Sequence, residues 1–192
     1  PDTNHYADKP TFPVRLRYYS EDRINPALAL PKVSSQNRRY IPMEVIDADV
    51  IAGSKLFLIP DISLYHFGVL TSNVHMAWMR TVCGRLKSDY SYASNVVYNT
   101  FPWPEPTAQQ RQKIEQTAQA ILDARALYPD SSLADLYDEL TMPPELRKAH
   151  RQNDMAVMQT YGFTKGSEAY KSEAACVAEL MQRYQKLCKE QK

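Results

Sequence analysis

The chain has 192 residues, 44% of them hydrophobic and 23% charged, enough for one sizeable core or two small ones, and two are expected. A formal net charge of +1 is too slight to announce a nucleic-acid binder by itself, because phosphate neutralisation ordinarily rests on a clear basic patch. Three cysteines do not make a disulfide framework, no apolar run approaches membrane length and no signal peptide opens the chain, so a cytoplasmic protein with no membrane partner is expected.

Residues 1–13, PDTNHYADKPTFP, form a proline-rich extended lead-in without a packing pattern, and an opening proline suggests a piece of a longer polypeptide. Residues 14–19 alternate roughly by two, residues 39–46 do so around Pro42, and residues 55–59 form a short apolar run stopped by Pro60; all three read as strands, with Pro42 at an edge or bulge. A hydroxyl at Thr71 or Ser72 can cap a helix running to about Cys83, with Val74, Trp78 and Val82 or Thr81 on one face and Gly84 as a left-handed stop. Tyr90, Tyr92 and Ser94 then alternate into Val96, Val97 and Tyr98, which predicts a strand. Residues 101–106, FPWPEP, must be extended, because a residue before proline is pushed out of the helical region. The domain boundary is placed there, giving 1–104 and 105–192.

Beyond it the pattern is helical. Thr107 and Gln110 form a capping box ahead of the stripe Ile114, Ala118, Ile121 and Leu122, which ends near Tyr128 and Pro129. A short helix follows Ser131 or Ser132 through Leu133, Leu136 and Tyr137. Another starts at Pro143 and Pro144 and carries Leu146, Ala149, Ala156 and Val157 to a stop at Gly162. A last helix from Ser167 places Tyr170, Ala174, Val177, Met181, Tyr184 and Cys188 on one face. Cys176 and Cys188 share it, about 18 Å apart and beyond bridging range. The expected fold is α+β, a small mixed strand-and-helix domain followed by a four-helix bundle-like domain.

Charge is informative by position. Residues 1–104 carry +2 and residues 105–192 carry −1. Arg15, Arg17, Arg23, Lys32, Arg38 and Arg39 cluster in sequence, and Arg80, Arg85 and Lys87 form a second group. Between the helix pattern and the aromatic alternation lie Lys87, Ser88 and Asp89. An ammonium can donate to the N7 and O6 acceptors of guanine, and a carboxylate can accept from the cytosine amino group. In an extended segment residues two apart face the same side, so Lys87 and Asp89 can read one G·C pair, with Ser91 adding a weaker contact. The bland alternative is a surface ion pair worth about 0 to 1 kcal/mol. Ser54 and Lys55, in the turn before the 55–59 run, form a second polar patch. Arg38, Arg39, Arg80 and Arg85 read first as phosphate contacts, which fix register. His66, His75 and His150 lack metal-ligand spacing and read as hydrogen-bonded structural residues. Asp47 and Asp49 are paired carboxylates with nothing nearby to complete an acid–base or metal set.

The stretch LYHFGVLTSNVHMAWMRTVCGRLKSDYSYASNVVYNTFPWP at residues 64–104, with its YHFG, LTS, AW, GR and YNTFPWPEP strings, resembles the target-recognition domain of MmeI-like type IIL restriction-modification enzymes. SLADLYDELTMPPELRKAH at residues 132–150 resembles their C-terminal helical domain. The resemblance covers about the last two thirds of the chain and implies a sequence-specific reader of double-stranded DNA, attached to an adenine-N6 methyltransferase domain of the same polypeptide. It implies base-reading roles for Lys87, Asp89 and Ser91, and for Ser54 and Lys55. The parent is expected to use S-adenosylmethionine and, in an N-terminal nuclease, magnesium. The chain itself lacks a glycine-rich cofactor loop, an Asn-Pro-Pro-aromatic motif and a placed Glu-x-Lys, so no catalytic residue, metal or cofactor is expected in it. A helical module that docks onto a separate catalytic subunit is the alternative; it would show an exposed apolar stripe on the last helix.

Overall fold

The structure, a computed structural model, describes residues 25–190. The lead-in at 1–13, the strand expected at 14–19, and Arg15, Arg17 and Arg23 lie outside these residues.

Two small antiparallel sheets share one pathway. Strand β1 (Ala27–Pro31) runs through Lys32 into β2 (Val33–Ser34). In the first sheet β1 lies between β3 (Glu44–Ile46) and β4 (Leu56–Pro60); in the second, β6 (Asp89–Ser91) lies between β2 and β5 (Gly84–Leu86). The prolines close strands: Pro31 pairs with Leu56 and Pro60 with Ala27, at the ends of the ladder where a missing N–H does least harm. Pro42 precedes the edge strand β3 rather than sitting within it.

Helix α1 (Leu64–Leu70) is capped by Ser63, whose hydroxyl lies 2.8 Å from His66 Nδ1, a histidine variant of the capping box. Ser72 caps α2 (Asn73–Val82), accepting from the His75 amide. Gly84 does not stop this helix in the left-handed region; Cys83 leaves it with φ −70 and ψ 157, and Gly84 opens β5. The strand expected through residue 98 ends at Ser91. Residues 94–100 coil instead through turns such as Tyr98 N to Ser94 O, and Trp78 Nε1 donates to Val97 O to hold them.

Helix α3 (Ala108–Ala126) carries the Thr107–Gln110 capping box, with Ile114, Ala118 and Ile121 buried. After it come α4 (Leu133–Leu136) and α5 (Pro144–Thr160), the latter followed by Gly162 at φ 80. The last helix is two: Ser172, at φ −131 and ψ 127, separates α6 (Glu168–Lys171) from α7 (Glu173–Glu190). Its buried face is set by Cys176 and Leu180, while Ala174, expected inside, is exposed.

The two expected cores are largely one. Among the described residues one large apolar cluster runs from Leu28 on β1 to Leu180 on α7, and Ala27, Ala29 and Leu58 form a small satellite. Gly68 lets α1 close on α3: a Cβ there would stand 2.6 Å from Ile114 Cγ2 and 3.1 Å from Asn153 Oδ1. Asn153 of α5 completes the junction, donating to Gly68 O at 2.7 Å and accepting from Thr117 Oγ1 at 3.0 Å. Alanine at 68 gains up to about 1 kcal/mol of helix propensity but overpacks by about 1–3 kcal/mol. Gly68→Ala should therefore lower the urea midpoint, and a midpoint at or above the parent's would show that Ile114 can move aside.

A polar chain threads the same core. Arg125, 7% exposed, donates through Nη1 to Met43 O at 2.8 Å, and through Nε at 2.9 Å and Nη2 to Tyr137 OH. Tyr137 OH shares a 2.7 Å hydrogen bond with His150 Nε2. His150 stacks on Tyr40 at 4.1 Å between centroids, and Tyr40 OH donates to Asp154 Oδ2 at 2.7 Å. The other oxygen of Asp154 accepts from Asn73 N at 2.7 Å, the first amide of α2, where a carboxylate meets the positive end of the helix. Helices α3 and α5 thus hold the strand-bearing half through buried, directional contacts as well as apolar ones.

Candidate nucleic-acid interface

The two polar patches, far apart in sequence, meet at Lys32. Its amide donates to Lys55 O at 3.0 Å, its carbonyl accepts from Tyr92 N at 2.8 Å, and its Nζ donates to Ser54 O at 2.7 Å. The turn at Ser54 and Lys55 and the strand carrying Asp89 and Ser91 are therefore anchored on one backbone link, where the first sheet passes into the second.

Lys87 and Asp89 do not share an extended segment. Leu86 and Asp89 are cross-strand partners, so Lys87 and Ser88 form the two-residue tip of a hairpin. Lys87 takes φ 58, a left-handed conformation that asparagine or glycine adopts more readily in such turns. That conformation costs of order 1 kcal/mol and puts an exposed lysine at the tip. Asp89 forms no ion pair with Lys87 among the described residues. Its Oδ1 instead accepts from Gln36 N at 3.4 Å. Alternation does place Asp89 and Ser91 on one face of β6, both half-buried, with Tyr90 buried on the other.

The four arginines fare differently. Arg85 pairs across the ladder with Tyr90, stacks on its ring at 4.0 Å and donates to Ser88 O, so it stands on the face opposite Asp89 and braces the turn. Arg80 grips Glu173 with two bonds, at 2.9 and 2.8 Å, and donates to Arg39 O. Its donors clamp α2 to α7 and to the loop after β2, leaving little for a phosphate. Arg39 donates to Tyr40 OH, yet it is exposed, and with half-buried Arg38 it lines a polar cleft of about 530 Å³ between that loop, α2, α6 and α7. Lys171 and Glu139 border the same cleft.

The three described histidines are occupied by structure. His66 belongs to the α1 cap; His75 is fully buried and meets Tyr92 OH at 3.1 Å, with burial pulling its pKa down to about 3. His150, inside the Arg125 network, is likewise pushed well below its ordinary value by burial, then by the guanidinium of Arg125. Among the described residues no three or more His, Cys, Asp and Glu side chains converge as a metal site requires. What the sequence reading missed is the loop at residues 35–37 beside Asp89; the string Ser34-Ser35-Gln36-Asn37 signals a turn, but nothing in it signals its neighbour 53 residues away.

Comparison with known proteins gives the family. The family described as MmeI, target recognition domain, matches residues 1–105, and the one described as MmeI, C-terminal domain, matches residues 106–191. DNA methyltransferase A of Bacillus subtilis (strain 168) is 37% identical over 168 residues, 88% of this chain and 18% of that protein. A solved structure of the type IIL restriction-modification enzyme MmeI in complex with DNA is 45% identical with a TM-score of 0.83, over 89% of this chain and 22% of that one. The chain thus spans about a fifth of the length of either relative, and with both family matches end to end it belongs to the MmeI family, as target recognition domain followed by C-terminal domain.

Proposed function

We propose that this chain selects the DNA sequence on which a larger restriction-modification enzyme acts, without performing the chemistry. The recognition domain is taken as residues 1–104 and the helical domain as 105–192, the second buttressing the first. On this reading the parent transfers a methyl group from S-adenosylmethionine to adenine N6 in its methyltransferase domain and cuts DNA with a magnesium-dependent nuclease. On the same reading S-adenosylmethionine and magnesium are bound by other parts of the polypeptide.

The observation that carries the reading is the convergence at Lys32. Ser54 and Lys55 arrive from one sheet and Asp89 and Ser91 from the other, beside an exposed lysine held at a strained hairpin tip. Rigid backbone scaffolding of polar tips is what direct readout of base edges needs. Arg38 and Arg39 are the phosphate contacts the reading retains, while Arg80 and Arg85 serve as braces. The docking-module alternative finds less support: of the large apolar residues on α7, Leu187 alone is exposed, at 40%, and no stripe forms.

The test is a charge exchange in the full-length enzyme. Lys87→Glu with Asp89→Arg should invert the preferred base pair at one position of the target, by roughly 1–3 kcal/mol of discrimination, with methyl transfer intact. Sequencing of modified sites reads the outcome; an unchanged target at full activity refutes the assignment.

A further inference from the structure

Asp89 is oriented from outside its own hairpin. The amide of Gln36 holds one carboxylate oxygen at 3.4 Å, which leaves the other for a ligand. Gln36 and Asn37 are both exposed. Their turn is preformed, since Ser35 accepts the Asn37 amide through its hydroxyl at 3.3 Å and the Arg38 amide through its carbonyl at 3.2 Å. Neither carboxamide hydrogen-bonds within the protein among the described residues. The turn touches the hairpin at Asp89, and Gln36 and Asn37 themselves line the cleft together with Arg38 and Arg39.

We infer that the turn at Gln36 and Asn37 is a third reading element, taking an A·T pair next to the pair read at Lys87 and Asp89. The inference rests on the DNA-recognition reading above. A carboxamide is suited to adenine because its carbonyl accepts from N6 while its amino group donates to N7, a bidentate match that no other base offers in the major groove. A turn locked by its own backbone presents such a group with little ordering left to lose on binding. The turn holds Asp89 through the backbone amide of Gln36, so side-chain changes at 36 and 37 leave that alignment in place.

The experiment uses the full-length enzyme and a library of duplexes with randomised positions, sequenced before and after binding. The variants are Gln36→Ala, Asn37→Ala, their double, and the Lys87/Asp89 exchange. Both alanine sites are exposed, and thermal unfolding at the parent's temperature confirms intact variants. The expected result is that one of the single variants, and the double, lose about 10- to 100-fold of discrimination at a single A·T position while the position governed by residues 87 and 89 keeps its preference. Equal weakening for all sequences would make the turn a backbone contact and overturn the inference, as would an unchanged profile. If the charge exchange shifts its position and the alanine variants shift none, the inference fails while the recognition reading stands. If the parent enriches no sequence, both fall.

Discussion

Replacing Arg125 with alanine should lower the unfolding free energy by about 3 kcal/mol, or roughly 10 °C in Tm for a chain of this size, the largest loss expected from any single polar side chain here. The guanidinium is 7% exposed and holds Met43 O and Tyr137 OH together while packing on the rings of Phe67 and Tyr137 at 5.3 and 4.9 Å. Truncation leaves a buried carbonyl unmatched, which alone costs about 1–3 kcal/mol, and opens a space the aromatic rings cannot fill. The ion pair with Glu44 adds little, because it is 3.8 Å long and its carboxylate is 44% exposed. Lysine should recover only part of the loss, since an ammonium lacks the fork that reaches both acceptors. Urea unfolding with an unchanged m-value checks this; a midpoint for Arg125→Ala equal to the parent's would show that water replaces the guanidinium freely.

Asp154 should give the chain a stability that falls as pH rises from about 4 to about 6. Burial, its largest influence, lifts its pKa from 3.8 to about 6, against the lowering effect of the Tyr40 hydroxyl and the Asn73 amide. Between those values the folded state keeps a proton that the unfolded state has released, so each step upward in pH favours unfolding. Integrated over the window the effect is about 3 kcal/mol, fully present as added stability below about pH 4 and gone above about pH 6. Asp154→Asn cannot titrate, and the difference between the two proteins' unfolding free energies should change by that amount across the window. A difference independent of pH would show that the carboxyl ionises at its ordinary value.

How much of this was legible in the sequence depended on whether the deciding interaction was local. The Thr107–Gln110 box and the Ile114, Ala118, Ile121 stripe are local and stand as read. Strand β1 was not legible: ALALP has no β-branched residue, and only pairing with residues 44–46 and 56–60 makes it a central strand. Helix α1 is seven residues long and contains a glycine, and its serine cap is completed by a histidine where Glu or Gln is the usual signal, so its start is faint in the sequence. The hairpin at Lys87 has no Asn-Gly turn, and its geometry became apparent only with β2 alongside. Lys87, Asp89, Ser91, Ser54 and Lys55 could be named as candidates from chemistry and resemblance, but the link that Lys32 makes between the 54–55 turn and the strand ending at Ser91 could not, because it runs through main-chain atoms that no residue type announces.

That main-chain meeting has an evolutionary consequence. Because the joints at residue 32 are made by peptide groups, with the lysine ammonium adding one bond of its own, the tips at 54, 55, 87, 89 and 91 can mutate without dismantling what supports them. If those tips read bases, as proposed, a change of target touches a few exposed side chains and leaves the aromatic and aliphatic interior beneath them as it is.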